Sequence, residues 1–309
     1  MSDAPPVALH AGVGRGLRSK AEGLAAALPP LLADAEHLAQ TVLLGAHGRR
    51  RSGMGDEFWQ YRPLAVGDEA RSIDWRRSAK SDQHFVREKE WQAAQSVMLW
   101  CDEAMSMRFS GDPGKRPSKT ERGRLLSLAI AVLLVRGGER VGLARLDQPA
   151  RSGPLQLIRI ADALGGAMEA EEQNLPGPDY GAPRGDTLPL HSRAVFLSDF
   201  MGEIDAAEAA LSRAADRGVR GAMLMILDPV EEEFPFDGRT IFESMGGSLA
   251  HETKKAGDLR SRYLDRLSAR KDRLEALART TGWQFSTHHT DTPAQSALLW
   301  LYGALEHGR

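Results

Sequence analysis

The segment S-V-M-L-W-C-D, residues 96–102, is a short apolar run that ends in an aspartate. Apolar runs of this length, set between helical stretches, are typical of β-strands. Three further runs that also end in an aspartate lie at residues 141–147, 194–199 and 222–228. Stretches with helical periodicity separate these runs. The first stretch opens on the capping-box pattern Ser118-x-x-Glu121 and stops at Gly137-Gly138.

The alternation of strands and helices predicts βαβ units, and hence an α/β fold with a doubly wound, mostly parallel sheet of Rossmann type. In such sheets ligands bind beyond the carboxyl ends of the strands, where the strand order reverses. We therefore expect Asp102 and Asp199 to lie within side-chain reach of each other at the ends of adjacent central strands. The further predicted elements are helices at 155–168, 203–217, 258–280 and 293–305, a hairpin within 234–247 and a strand at 283–287.

The first 95 residues have a different pattern. Residues 1–45 are predicted to form a flexible and helical arm, with two short helices separated at Pro29-Pro30, because proline interrupts a helix. Residues 46–95 are dense in aromatic and β-branched side chains, which favours strands joined by turns. The sequence therefore predicts an N-terminal arm, a β-rich accessory segment and an α/β domain over residues 96–306.

Composition limits the classes of partner. The chain of 309 residues has 40 basic and 42 acidic side chains, a net charge of −2, so no overall field attracts it to nucleic acid or to a membrane surface. Cys101, the single cysteine, lies in an apolar run and fits a reducing compartment. The most apolar window, residues 125–135, is about half of the ~20 residues that span a bilayer. We expect a cytoplasmic protein with no transmembrane segment and no nucleic-acid partner.

Catalytic motifs are absent from the sequence. It contains no G-x-S-x-G, H-E-x-x-H, Walker A or C-x-x-C pattern, so nucleophilic, zinc-hydrolytic and ATP-binding chemistry has no recognisable motif. His288 and His289 directly follow the strand predicted at 283–287, and neighbouring side chains of a strand point to opposite faces. We therefore do not expect these two histidines to share one metal ion.

The segment G-D-E-F-W-Q-Y-R-P-L-A-V-G-D-E-A-R-S-I-D-W-R-R-S-A-K, residues 55–80, resembles the signature of the bacterial "domain of unknown function 58" family. Pro63 departs from it, since the family usually has an aromatic residue there. The resemblance covers roughly residues 40–305 and implies that the α/β domain is of the von Willebrand factor A type. The matching residues include Arg62, Asp68, Arg71, Asp74 and Trp75.

Two interpretations of this signature remain open. In the first, Asp68, Arg71 and Asp74 form a salt-bridged turn that supports a buried Trp75, with Asp74 bonded to Arg71 or to backbone N–H groups. In the second, the signature is a docking surface for another protein. Its basic rim would consist of Arg49, Arg50, Arg51, Arg76, Arg77 and Lys80.

The resemblance also implies a metal site. In von Willebrand A domains a first strand leads into Asp-x-Ser-x-Ser, and a distant threonine and a second aspartate complete an oxygen shell for a Mg²⁺-like ion. Here Ala104 replaces the first serine and no threonine counterpart is evident, which leaves Asp102, Ser106 and Asp199 as ligands. One interpretation is a degenerate site, at which Mg²⁺ would bind weakly, with millimolar affinity. The alternative is that these aspartates cap helices or order loops.

The function implied by the resemblance is that of a non-catalytic adaptor or assembly factor. Such a protein would act with a MoxR-type AAA+ ATPase on a client protein. The alternative is a metal-dependent hydrolase, for example a phosphohydrolase, that uses the aspartates at the strand ends. Because the sequence offers no identifiable nucleophile or general base, it favours the interaction module.

Overall fold

The computed structural model describes residues 30–46, 58–64, 73–80, 83–89, 94–146, 148–172, 177–247 and 250–306. Its helices are α1 (Pro30–Ala46), α2 (Trp75–Ser78), α3 (Lys119–Arg136), α4 (Pro154–Glu172), α5 (Ile204–Asp216), α6 (Pro229–Glu233), α7 (Arg260–Thr281) and α8 (Ala294–Glu306). Its strands are β1 (Phe58–Pro63), β2 (Phe85–Lys89), β3 (Ser96–Cys101), β4 (Arg140–Leu143), β5 (Arg193–Ser198), β6 (Arg220–Leu227), β7 (Thr240–Glu243), β8 (Ala250–Thr253) and β9 (Gln284–His289).

The main sheet has five parallel strands in the order β4-β3-β5-β6-β9. From β3 the chain moves outward to β4 on one side and then returns to β5 on the other. The strand order therefore reverses between β3 and β5, which is where α/β sheets of this kind bind ligands. The predicted doubly wound, mostly parallel α/β fold is confirmed.

Helices cover both faces of this sheet, so alternate side chains of each strand enter different cores. Val97 and Leu99 of β3 pack with α1, α3, α4 and α8, whereas Met98 packs on the opposite face with α5 and α7. On that second face Phe196 contacts the rings of Trp100 and Trp283. Burial on both faces explains why the central strands are apolar at nearly every position.

Helix α1 is part of the main core. It begins at Pro30, a position where the missing N–H of proline is tolerated. Leu32, Ala35, Ala39 and Val42 recur at helical spacing and are buried against the same core as α3 and α8. The first of the two helices predicted in the N-terminal arm lies outside the described residues.

The β-rich segment contains a hairpin and one helical turn. Strands β1 and β2 pair in antiparallel fashion, and α2 follows Asp74, whose Oδ1 accepts a hydrogen bond from Arg77 N at 2.9 Å. The predicted bond from a backbone N–H to Asp74 is therefore confirmed. The prediction that Trp75 is buried is wrong, since its exposed fraction is 60%. Trp75 is the first residue of a single turn, and the side chain that this turn buries is Ser78.

Two further boundaries differ from the predictions. Strand β4 ends at Leu143 because the chain turns at Ala144 and Arg145, and Asp147 lies outside the described residues. The predicted hairpin is present as β7 and β8, but it reaches Thr253 rather than closing by residue 247.

Among the helices that the structure describes, none is both long and apolar enough to cross a membrane.

Candidate functional site

Three aspartates gather at the carboxyl edge of the main sheet. Asp102 follows β3, Asp199 follows β5 and Asp228 follows β6. Strands β3 and β5 are neighbours, and Asp102 N donates to Leu197 O at 2.8 Å. The sequence-based expectation for Asp102 and Asp199 is thus confirmed, and both are almost fully buried, with exposed fractions of 2% and 1%.

The Asp102 carboxylate orders the loop after β3. Its Oδ1 accepts from Ala104 N at 2.9 Å, and its Oδ2 accepts from the Ser198 hydroxyl at 2.6 Å. Burial raises the pKa of Asp102 above its ordinary value, and the nearby charge of Asp199 adds to this effect, while the two hydrogen bonds oppose it. Asp102 therefore links the ends of β3 and β5 through Ser198.

A lysine occupies the centre of this edge. Lys119 is the first residue of α3, and helical side chains lean toward the helix N-terminus, which here lies above the strand ends. Its Nζ lies 2.8 Å from Asp199 Oδ2 and 2.7 Å from Glu231 Oε1, and its side chain is 1% exposed. Burial alone would lower the pKa of Lys119, but Asp199 and Glu231 together raise it above its ordinary value. The ammonium group is therefore charged at neutral pH.

Glu231 and Asp228 extend the network through helix α6. Asp228 Oδ1 accepts from Val230 N, and Glu231 Oε2 accepts from Asp228 N, so the two residues form a capping box. Asp228 Oδ2 also accepts from Gly111 N and from the Thr290 hydroxyl, both at 3.1 Å. Arg116 Nη2 lies 3.4 Å from Asp228 Oδ1. The charged groups at this edge are thus paired within the protein.

The loop at residues 177–182 lies over the end of β3. Pro178 O and Asp179 O accept hydrogen bonds from Met105 N and Ser106 N, each at 2.9 Å. Gly181 lies so close to Asp102 that a Cβ atom on residue 181 would be 2.1 Å from Asp102 Oδ1. Only glycine fits at this approach without displacing the loop. The loop therefore separates the Asp102 carboxylate from solvent.

An open groove of about 480 Å³ runs between this loop and the start of α5. Arg270 of α7 lies in it and donates from Nη1 to Phe200 O at 2.5 Å and to Gly202 O at 2.7 Å. Phe200 has a left-handed φ of 47°, which is strained for a residue with a side chain. The groove is lined by Asp179, Tyr180, Gly181, Ala182, Met201, Gly202, Glu203, Ala206 and Arg270.

The residues predicted as Mg²⁺ ligands do not form the expected shell. Both Asp102 oxygens accept from protein donors, and the cation against Asp199 is the Lys119 ammonium. The Ser106 hydroxyl is buried without a hydrogen-bond partner in the part of the chain that the structure describes. Within those residues no group of three or more His, Cys, Asp or Glu side chains is arranged to hold a metal. The residues present thus do not fit the Mg²⁺ shell that the resemblance implies, and the titration proposed below tests the weak Mg²⁺ affinity that was expected from the sequence.

The other signature residues have separate positions. Arg62 lies in β1 opposite Val86 of β2. Asp68 and Arg71 lie outside the described residues, so the predicted salt-bridged turn stays a prediction. Asp74 caps α2, and Trp75 is exposed on its surface.

Lys119 and Glu231 were missed as site residues. The sequence does contain one signal for Lys119, since the capping box places it in the first turn of α3. A cation is disfavoured there, because the helix dipole presents positive charge. A lysine at such a position indicates a negatively charged partner elsewhere in the fold.

The two adjacent histidines lie on opposite faces of β9, as predicted. His288 Nε2 is 2.7 Å from Arg122 Nη1, whereas His289 Nε2 is 2.6 Å from Glu232 Oε2. Burial lowers the pKa of His288 to about 4, and the charges of Arg122 and His289 contribute. His288 is therefore neutral at pH 7 and serves to anchor α3 to β9.

We expect the Asp102→Asn variant to be at least as stable as the wild type at pH 7. The amide can accept from Ala104 N and donate to Ser198 Oγ, and it removes a buried charge. Because the folded-state pKa of Asp102 is raised, folding favours the protonated acid, and this contribution is lost as pH rises through that pKa. The stability advantage of Asp102→Asn over the wild type should therefore vanish as the pH falls to the ordinary aspartate pKa of about 4.

Urea unfolding between pH 4 and pH 8 measures this difference, with Asp102→Ala as the control. Alanine leaves the Ala104 N–H and the Ser198 hydroxyl unpaired and should cost about 1–3 kcal/mol. If asparagine were as destabilising as alanine at pH 7, the carboxylate charge itself would be required, as in a metal ligand.

Comparison with known proteins identifies the family of this chain and two solved structures that are distantly similar to it. A family model described as "Protein of unknown function DUF58" matches residues 60–273, more than half of the chain. No curated protein matches the chain. The crystal structure of the conserved hypothetical protein BatB from Bacteroides thetaiotaomicron is 14% identical, with a TM-score of 0.37 over 69% of this chain and 100% of that one. An aerotolerance-related membrane protein from Bacteroides fragilis is 15% identical, with the same TM-score and coverage.

Proposed function

We propose, from the premise that this chain belongs to the DUF58 family of proteins of unknown function, that it is a non-catalytic protein-interaction module. In this proposal it works in the cytoplasm as an adaptor or assembly factor, together with a MoxR-type AAA+ ATPase and a client protein. The observation that carries the proposal is the exposure of Trp75, a large aromatic side chain within the family signature.

Trp75 projects from a small surface that is basic and rigidly held, which we call the α2 surface. An exposed tryptophan beside arginines is the composition that dominates binding energy in protein interfaces. The turn is fixed by the Asp74 cap and by Ser78, whose hydroxyl donates to Asp74 O and accepts from Phe85 N. The α2 surface consists of Trp75, Arg76, Arg77 and Lys80, all exposed.

The charge of this surface indicates the chemistry of its partner. Arg76, Arg77 and Lys80 lie in the same turn of the chain as Trp75 and are exposed, and Asp74 is engaged as the helix cap. A fitting partner presents an apolar pocket for the indole with carboxylates around it. Rim charges of this kind chiefly speed association and select the partner, whereas the buried aromatic contributes most of the affinity.

The buried edge of the sheet supports a non-catalytic role. Asp102 and Asp199 are the aspartates that a hydrolase would use, yet both are nearly inaccessible and both are hydrogen-bonded within the chain. A substrate would have to displace the loop at residues 177–182 to reach Asp102. The metal-dependent hydrolase is the competing function, and it predicts Mg²⁺- or Mn²⁺-dependent turnover that is lost in Asp102→Ala.

The test is a binding measurement between the full chain and a MoxR-type ATPase of the same organism, by surface-based interferometry. We expect Trp75→Ala to weaken binding by roughly 30-fold or more, because truncating a central aromatic anchor costs about 2 kcal/mol or more. Leu155→Ala is the matched control, since Leu155 is also an exposed apolar residue but lies on α4. Absence of binding by the wild type, or equal binding by Trp75→Ala, contradicts the proposal.

A further inference from the structure

We propose that the ammonium group of Lys119 takes the place of a divalent cation in the strand-end cleft, so that a metal site appears only when this ammonium is removed. The cleft is the space around Lys119 Nζ between the end of β5 and the start of α6. This inference is independent of the α2 surface, because it concerns the buried carboxylates at the edge of the main sheet.

The geometry around Nζ is that of a bound cation. Two carboxylate oxygens, from Asp199 and Glu231, approach it at 2.8 Å and 2.7 Å. These are ordinary lengths for charged N–H···O bonds, whereas Mg²⁺ holds its ligands at about 2.0–2.1 Å. The Phe109 ring lies 5.8 Å from the same nitrogen. The two carboxylates therefore stand at the distances of an ammonium group and not at those of Mg²⁺ ligands.

Charge balance explains why a cation is needed here. Without Lys119, the buried Asp199 and the partly buried Glu231 would face each other as like charges, with Asp102 linked to the same edge through Ser198. Two buried carboxylates at one site repel each other, and one of them then binds a proton. The lysine removes this conflict and joins α3, the end of β5 and α6 through one atom.

A covalently attached cation also outcompetes a free one. Mg²⁺ gives up its water reluctantly and would have to displace a charge that cannot diffuse away. Asp102 offers little compensation, since its oxygens already accept from Ala104 N and Ser198 Oγ. The replacement of serine by Ala104 in the metal-binding pattern is consistent with a cleft that does not use a metal.

The experiment compares the wild-type full chain with Lys119→Met, which keeps most of the apolar stem of the side chain and removes the ammonium group. Both proteins are freed of metal with a chelator, and thermal unfolding and calorimetric titration are followed with Mg²⁺, Mn²⁺ and Ca²⁺. We expect the Tm of the wild type to be unchanged by millimolar cation. We expect Lys119→Met to unfold at lower temperature and to regain several degrees of Tm when Mn²⁺ or Ca²⁺ binds.

Two further variants secure the interpretation. Lys119→Gln keeps an amide donor for one carboxylate and should fold even if Lys119→Met does not, with the same direction of response. Lys115→Ala removes an exposed lysine from the preceding loop and should behave like the wild type. Saturable Mg²⁺ binding by the wild type overturns the proposal. It is also overturned if neither Lys119 variant gains a cation-dependent Tm.

Discussion

Replacing Asp228 with alanine should lower the free energy of unfolding by about 4 kcal/mol. The carboxylate is fully buried and accepts hydrogen bonds from Val230 N, Gly111 N and the Thr290 hydroxyl. Loss of the helix cap costs about 1 kcal/mol, and each buried donor left without an acceptor costs about 1–3 kcal/mol. Arg116 also loses its buried counter-ion. Urea unfolding followed by circular dichroism measures the effect.

Asp112→Ala is the matched control for this prediction. Asp112 lies in the same loop as Gly111 and pairs with Lys115, but that ion pair is exposed. An exposed pair of this kind contributes at most about 1 kcal/mol. A loss below about 1.5 kcal/mol in Asp228→Ala would mean that water replaces the missing acceptor, and that the edge of the sheet is more open than its burial indicates.

The central strands were predictable because their chemistry is local. Strands β3, β5 and β6 are buried on both faces, so each appears in the sequence as a short apolar run closed by an aspartate. The start of α3 was equally clear, because a capping box fixes a helix N-terminus through residues only three positions apart. These elements alone predict that Asp102 and Asp199 lie close together at the point where the strand order reverses.

The length of β4 was not predictable in the same way. Its apolar run extends to Leu146, yet the strand pairs with β3 only from Arg140 to Leu143. Where a strand stops depends on where its neighbour and the following turn lie, and the apolar run contains no information on either. The partners of Lys119 could not be predicted either, because they are distant in the sequence: Glu231 lies 112 positions away along the chain.

Trp75 shows how aromatic density can mislead. The segment around it is rich in aromatic residues, which favours burial on average, and Trp75 was expected to be buried and supported by a salt-bridged turn. Its position at the start of a one-turn helix instead directs the side chain outward, where its ring meets the edge of His84 at 5.7 Å. This exposure is the observation on which the proposed docking role of Trp75 rests.

The second large effect is expected from a pair of tryptophans that differ in burial. Trp283→Ala should lower the free energy of unfolding by about 3–5 kcal/mol, because Trp283 is 2% exposed and its truncation leaves a cavity. Its ring lies 4.8 Å from that of Phe196, and its Nε1 donates to Val219 O at 3.2 Å. Trp75→Ala removes the same atoms from the surface and should cost less than about 1 kcal/mol.

Chemical denaturation of the two variants, side by side, isolates burial, since both substitutions change the unfolded chain in the same way. Combined with the binding measurement, the pair also separates folding from function. Trp75→Ala should keep its stability and lose its partner, whereas Trp283→Ala should lose stability. If Trp75→Ala were destabilised by as much as Trp283→Ala, Trp75 would be a core residue, and the α2 surface could not be the docking site that we propose.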